Sequence, residues 1–319
     1  MKVAILDDYQ NAVPNLECFQ LLEGHDVQVF TDSFSSEAQL ANALHEFEVL
    51  VLIRERTVIT ESLLSALPNL KLISQTGKVS NHIDVQLCKQ YGVEVAEGIG
   101  SPVAPSELCW SLILAASRYL PEYITNLADG KWQQSGALGL GRTLSGLTLG
   151  IWGYGKIGKK IAQYAKVFDM NVLVWGSEAS RLAAVEDGFQ SATSKQDFFR
   201  CCDILSLHLR LNDATRGIVS REDLSIMKSD SLFVNVSRAE LVEDGALLAE
   251  MQAQSTKRAA VDVYVSEPAC RENEPLISLP NVLCSPHLGY VEQGSYELYF
   301  KVAFENVVAF AQGKPQNLA

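Results

Sequence analysis

The sequence predicts an α/β protein built on two open parallel sheets, and three observations carry that prediction. Short apolar strands alternate with helical patterns over the first hundred residues; a Gly- and Pro-rich break, GIGSPVAP, follows at residues 98–105; and a second alternating series then opens with an apolar strand running into a glycine turn. Strand and helix in alternation imply parallel strands with crossovers covering both faces.

The first series reads as strands at Val3–Leu6, Val27–Phe30, Val49–Ile53 and Leu70–Gln75, with helices at Ser36–Ala43 and Thr60–Ala66. Serines before the first helix, and a Thr beside a Glu at the second, supply capping side chains. After the break a long helix is expected over Ser106–Tyr119, stopped before Pro121. The second series has strands at Leu147–Trp152, Val172–Trp175, Ile204–Leu209, Leu232–Val236, Ala259–Val265 and Val282–Cys284, placing a second open sheet at roughly residues 100–290. A closing helix, Val291–Ala311, gathers Tyr296, Leu298, Tyr299, Val302, Phe304, Val307, Val308 and Phe310 on an apolar side.

Residues 147–162, LTLGIWGYGKIGKKIA, carry the most specific local signal. The strand leads into Gly153-Tyr154-Gly155-Lys156-Ile157-Gly158, and a helix continues from there. Gly153 permits the tight turn, Gly155 lets backbone approach a pyrophosphate, and Gly158 lets the helix pack close to the strand. Exposed N–H groups and the helix dipole then attract the phosphates. At the end of the next strand stands Gly176, followed by Ser177 and Glu178. Glu178 within reach of the ribose hydroxyls favours NAD, whereas the absence of a strand-end carboxylate and the nearness of Arg181 leave NADP open. Glu178 and Arg181 are equally readable as solvated residues opening a helix.

Three later strand ends carry chemistry. LFVNV ends in Ser237-Arg238, RAAVDVYV in Ser266-Glu267-Pro268, and NVLC in Ser285-Pro286-His287-Leu288-Gly289. Ligands of open α/β sheets bind outside such ends. Reducing a 2-oxo acid needs a cation for the carboxylate and carbonyl, a proton donor for the developing alkoxide, and a group that keeps the donor protonated. Arg238 suits the first task with its planar, permanently charged fork. His287 suits the second. Glu267 suits the third, because a carboxylate bonded to imidazole orients it and stabilises its charged form. Singly, each has a plainer role: a surface Arg, a turn Glu, a structural His.

Composition excludes several classes. The 319 residues are 47% hydrophobic and 20% charged, with a net charge of −12, which argues against nucleic acid and anionic membrane surfaces as partners. Seven cysteines form no C-x-x-C pair, so no metal site is indicated. The N-terminal apolar run is too short for a signal peptide and no stretch reaches membrane-spanning length, so a cytoplasmic location is expected.

Together, GYGKIGKKIA, LFVNVSRAELVE, AAVDVYVSEP and LCSPHLGY resemble the D-isomer-specific 2-hydroxyacid dehydrogenase family over nearly the whole chain. The resemblance implies a flavodoxin-like split substrate domain, residues 1–99 plus 291–319, and an inserted Rossmann NAD(P)-binding domain, residues 100–290. It implies NAD, with NADP not excluded, a small 2-oxo or 2-hydroxy acid as substrate, and a homodimer formed through roughly Glu107–Thr143. Arg238, Glu267 and His287 become the catalytic set, with Arg238 and His287 also binding substrate. Asp262 matches the residue that holds the nicotinamide carboxamide; His208, Val236 and Gly289 fall beside the cofactor, with a capping role equally open to His208. Arg54 and the Gly77-Lys78-Val79 loop match substrate contacts, and Arg56 and Lys78 would add charge suited to a second anionic group such as phosphate.

The chain departs from the family pattern in places. Val79 stands where a second glycine is usual, and Asn81-His82 where Asp-Asn is usual. Val79 cannot take a positive φ cheaply, so a different grip on the carboxylate is expected. Arg210 replaces a frequent Pro, and Tyr290 stands where small residues are common, placed to crowd or line the substrate pocket. Two other functions fit the same fold: an NADH-sensing binding protein or corepressor, and formate oxidation, which would want Gln in place of Glu267.

Overall fold

Two all-parallel sheets organise the chain, one of five strands and one of seven. The computed structural model describes residues 1–319 and divides into two units: residues 1–101 with 292–319, and residues 102–291.

In the first unit the strands are β1 (Lys2–Ile5), β2 (Asp26–Val29), β3 (Val49–Leu52), β4 (Leu72–Gln75) and β5 (Glu94–Ala96), in the order β2-β1-β3-β4-β5. This is the doubly wound flavodoxin-like order, and its reversal point lies between β1 and β3. Every residue of β3 and β4 is buried, as a central parallel strand covered on both faces requires. Ser36 and Thr60 cap their helices, accepting from Gln39 N–H at 3.3 Å and Leu63 N–H at 3.1 Å. Helix Gln293–Ala311 joins this unit, with Ser74 Oγ donating to the Ala303 carbonyl at 2.8 Å. Its buried side includes Tyr296, Tyr299, Phe300, Ala303, Phe304 and Val307, whereas Leu298, expected inside, is exposed.

In the second unit the strands are β6 (Thr148–Trp152), β7 (Asn171–Trp175), β8 (Gln190–Ser191), β9 (Ile204–Leu207), β10 (Leu232–Asn235), β11 (Arg258–Val261) and β12 (Val282–Cys284), in the order β12-β11-β10-β9-β6-β7-β8. The order reverses between β6 and β9, the Rossmann switch point. One core lies around Cys109, Ile113, Ile151 and Ile161, and another around Phe198, Phe199, Leu205 and Phe233. The long helix runs Val103–Arg118, three residues earlier than the expected start. Tyr119 in the left-handed region ends it, and a second helix, Leu120–Ala128, begins at once with Pro121 in its first turn. Pro121 therefore opens a helix as well as barring the previous one, because its missing N–H is not needed there. No helix is long and apolar enough to cross a membrane.

Candidate active site

The three glycines of the turn meet three different surroundings. A Cβ on Gly153, where φ is +100°, would stand 2.5 Å from the His208 carbonyl oxygen, so the ends of β6 and β9 touch through it. A Cβ on Gly158 would stand 2.1 Å from the Gly153 oxygen, which fixes the close packing of helix Lys156–Val167 on the strand. A Cβ on Gly155 would meet nothing within 4 Å. That open space faces the start of a helix whose N–H groups are available, the cradle a pyrophosphate needs. Lys156 and Gly155 are exposed and Ile157 is half-buried, whereas Tyr154 is buried, with its hydroxyl donating to Asp187 Oδ2 at 2.9 Å.

His208 completes this corner. Its Nε2 lies 3.0 Å from Ser206 Oγ, which lies 3.3 Å from Cys109 Sγ. Its Nδ1 is buried with no hydrogen-bond partner, and burial pushes its pKa down to about 4. The ring is thus neutral near pH 7, with an orphaned nitrogen beside the glycine turn. An open cradle and a polar atom lacking its partner fit a dinucleotide here. Beyond β7, Ser177 caps the following helix by accepting from Ser180 N–H at 3.3 Å, Glu178 is exposed, and the Arg181 guanidinium lies 5.0 Å over the Trp175 ring. Val236 packs on the core.

Glu267 and His287 are in direct contact: Glu267 Oε2 and His287 Nδ1 are 2.7 Å apart. The Tyr264 N–H donates to the other oxygen, Oε1, at 3.0 Å. Burial works to raise the Glu267 carboxyl, but the His287 bond and charge, the Tyr264 N–H and the Arg238 charge outweigh it and hold the carboxyl below its ordinary range. Ionised Glu267 only accepts, so Nδ1 carries the hydrogen and Nε2 is the nitrogen left for exchange. Arg238 is half-buried after β10 and donates from Nη1 to the Ser237 carbonyl at 2.6 Å. Asn235 shapes that turn, donating to the Arg238 carbonyl at 2.8 Å and accepting from Ser237 N–H at 3.0 Å.

His287 has a φ of +50°, an uncommon conformation for a non-glycine residue, and its neighbours hold it there. Asp262 does so: its carboxylate accepts from Ser285 Oγ at 2.6 Å, Leu288 N–H at 2.8 Å and Gly289 N–H at 2.9 Å. Burial raises the Asp262 carboxyl above its ordinary value despite these bonds. Tyr290 is buried, edge-on to the His287 ring with centroids 5.4 Å apart. Ser285, Asn235 and Tyr264 carry no sequence signal of their own, because backbone partners declare themselves only once the strand ends are aligned.

In the first unit Arg54 also has positive φ, +53°, beyond β3. Thr76 Oγ1 accepts from its N–H at 3.0 Å and Gln75 Nε2 donates to its carbonyl at 2.7 Å. The guanidinium lies against Gly77, where a Cβ would stand 1.9 Å from Arg54 Nη1. Val79 has negative φ, as a β-branched residue prefers, and what Gly77 supplies is room. Lys78 forms an ion pair with Glu97, whose other oxygen accepts from Val79 N–H at 3.2 Å. Arg56 Nη1 donates to the Asp7 carbonyl at 2.5 Å and lies 4.5 Å over the Tyr9 ring.

Comparison with known proteins shows the family. The family model described as D-isomer specific 2-hydroxyacid dehydrogenase, NAD binding domain, matches residues 110–289. The glyoxylate reductase of Aeropyrum pernix is 33% identical over 95% of this chain and 92% of its own length. The hydroxypyruvate reductase of Thermotoga maritima is 32% identical, covering 86% of this chain and 88% of its own. Among solved structures, a phosphoglycerate oxidoreductase from Vibrio cholerae o395 is 70% identical, with a TM-score of 0.97 over 98% of this chain and 99% of that one.

Proposed function

The chain belongs to the D-isomer-specific 2-hydroxyacid dehydrogenase family, and we propose that within it His287, Glu267 and Arg238 are the catalytic residues acting on a small 2-oxo or 2-hydroxy acid. The protein is a nicotinamide-dependent oxidoreductase. The bound nicotinamide supplies or accepts the hydride at the substrate carbon.

The chain's own residues handle charge and protons. His287 Nε2 gives a proton to the carbonyl oxygen in reduction and takes it back in oxidation. Glu267, ionised and satisfied on both oxygens, keeps Nδ1–H directed at its carboxylate and so leaves Nε2 to exchange the proton. Arg238 holds the substrate carboxylate and polarises the carbonyl. Arg54 and the Gly77-Lys78-Val79 loop are assigned to substrate contact in the first unit. Gly153, Gly155, Gly158 and the N–H groups of Tyr154, Lys156 and Ile157 are assigned to the pyrophosphate, with His208, Val236, Asp262 and Gly289 toward the nicotinamide. NAD is the proposed cofactor, with Ser177 and Glu178 at its ribose, and Arg181 leaves NADP accessible.

We also assign a homodimer. Helix Leu120–Ala128 has no buried residue, and Ile124 and Leu127 on it are 65% and 55% exposed. Trp132 and Leu140, nearby in sequence, are 72% and 91% exposed, and large apolar side chains gathered at a surface mark interaction sites.

The observation carrying the chemistry is the 2.7 Å Glu267–His287 contact. The test is steady-state turnover with NADH and NADPH against glyoxylate, hydroxypyruvate and phenylpyruvate, for the wild type and His287→Ala. Loss of about 10²-fold or more in kcat supports the assignment, that being the ordinary scale of general acid–base catalysis. NADH binding without turnover of any 2-oxo acid would favour the sensing reading instead.

A further inference from the structure

Resting on the substrate role given above to the Gly77-Lys78-Val79 loop, we infer that Glu97 is a specificity residue that closes this loop to a second anionic group and restricts the substrate to unphosphorylated 2-oxo acids. The loop has one cation of its own, Lys78, and Glu97 neutralises it. The same carboxylate accepts the Val79 N–H at 3.2 Å, so it sits on the loop as an acid substituent of a ligand would.

Glu97 is built into place rather than hanging from the surface. Its N–H donates to the Asn317 carbonyl at 2.9 Å, and its own carbonyl accepts from Asn306 Nδ2 at 3.4 Å. Asn317 Nδ2 in turn donates to Asn306 Oδ1 at 2.8 Å. The next residue, Gly98, donates its N–H to the Gly77 carbonyl at 2.8 Å. A Cβ on Gly98 would stand 2.8 Å from the Gln75 carbonyl oxygen and 3.0 Å from Gly77 N, so the two loops are pressed together. Only the Glu97 side chain, 24% exposed, is left to choose a partner, and it chooses the loop.

The neighbouring cations are already engaged. Arg56 is held by the Asp7 carbonyl and the Tyr9 ring. Arg54 lies over Gly77 with Glu55 3.7 Å from its Nε. A phosphate approaching Lys78 would have to expel Glu97 or lie beside a like charge, which costs affinity at this range. A monoanionic acid needs only one cationic grip and escapes that penalty.

The experiment compares kcat/KM for hydroxypyruvate and 3-phosphohydroxypyruvate, which differ by the phosphate alone, in wild type, Glu97→Gln and Glu97→Gln/Lys78→Met. Gln keeps an oxygen for the Val79 N–H and removes the charge, and losing an exposed ion pair costs little stability. The wild type is expected to favour the unphosphorylated acid. Glu97→Gln should move the ratio toward the phosphorylated acid by about tenfold, on the scale of one charge contact near a protein surface, and the double variant should reverse the move. A ratio unmoved by Glu97→Gln, or a wild type that prefers the phosphorylated acid, overturns the inference. Binding of inorganic phosphate, followed by calorimetry in the same proteins, separates the two readings. Tighter phosphate binding by Glu97→Gln without turnover of either acid would defeat the reductase assignment while upholding the neutralised loop; unchanged phosphate binding would defeat the inference alone.

Discussion

Asp262 and His287 are coupled through backbone: the Asp262 carboxylate holds the N–H groups of Leu288 and Gly289, the two residues that follow His287. His287 is left in the left-handed region with its ring against Glu267. Two acids thus set one imidazole, Asp262 fixing the main chain that carries it and Glu267 fixing the ring. They do so with opposite titration behaviour.

Glu267→Gln should lower kcat by about 10²-fold or more, the scale on which an imidazole suffers when its orienting carboxylate is lost. The Tyr264 N–H would claim the amide oxygen, leaving the amide NH₂ toward His287 and forcing Nδ1 to accept. Nε2 would then carry the hydrogen, the tautomer opposite to the one the carboxylate holds. The Glu267 carboxyl is depressed below its ordinary 4.5, so its stabilising contribution is complete above pH 4.5 and lost as pH falls through the lower folded value. Urea midpoints across that window should show the gap between wild type and variant closing in acid. A gap that stays constant into acid would mean that the pair does not stabilise the ionised form.

Asp262→Asn is expected to destabilise the protein by about 1–3 kcal/mol, because an amide NH₂ would face one of three donors and leave it unsatisfied in a buried place. The sign of its pH dependence is reversed. Burial raises the Asp262 carboxyl above 3.8, so its contribution is complete below pH 3.8 and declines as pH rises through the folded value. With the turn loosened, kcat should fall alongside stability. Wild-type thermal stability in the variant would show that the turn does not depend on this carboxylate.

Gly155→Ala and Gly158→Ala should separate binding from folding. A methyl at 155 meets nothing in the protein, so thermal stability should hold while NADH affinity, read by fluorescence titration, drops. A methyl at 158 meets the Gly153 carbonyl at 2.1 Å and should cost about 1–3 kcal/mol by overpacking. Equal losses of stability in the two variants would contradict the open cradle at Gly155.

The parts of this protein legible in its sequence are those in which residue type and period coincide. Fully apolar strands such as VLVL in β3 declare a covered parallel sheet, and the strand–glycine–helix order declares the Rossmann turn. Strand starts such as Val49, Ile204, Leu232 and Val282 agree with the expected ones, and so do the ends at Gln75, Trp152, Trp175 and Cys284, while the ends at Ile5, Val29, Leu52, Leu207, Asn235 and Val261 fall one to four residues short because pairing stops before apolarity does. The two-residue β8 and three-residue β5 were illegible, because each is short and begins on a polar, exposed residue, whereas the equally short β12 is apolar throughout. The strained positions were illegible too: positive φ falls on Arg54 and His287, and residue type alone does not single them out because neighbouring hydrogen bonds hold that conformation. Glu97 gave no signal, since its partner Lys78 lies nineteen positions away on an adjacent strand end.

The helix after Tyr119 supplies the last prediction. Leu120, Ile124 and Leu127 recur at i, i+4 and i+7, the spacing of a face meant for burial, yet none of them is buried. A soluble monomer with that face in water would lose the hydrophobic stabilisation that the pattern encodes. The wild type is expected to sediment as the proposed dimer, and Ile124→Glu/Leu127→Glu should sediment as a monomer. Because the helix rests on no core of its own, the unfolding of a single chain should change little. A wild type that sediments as a monomer at micromolar concentration, or a double variant that sediments like a dimeric wild type, would remove this helix from the interface.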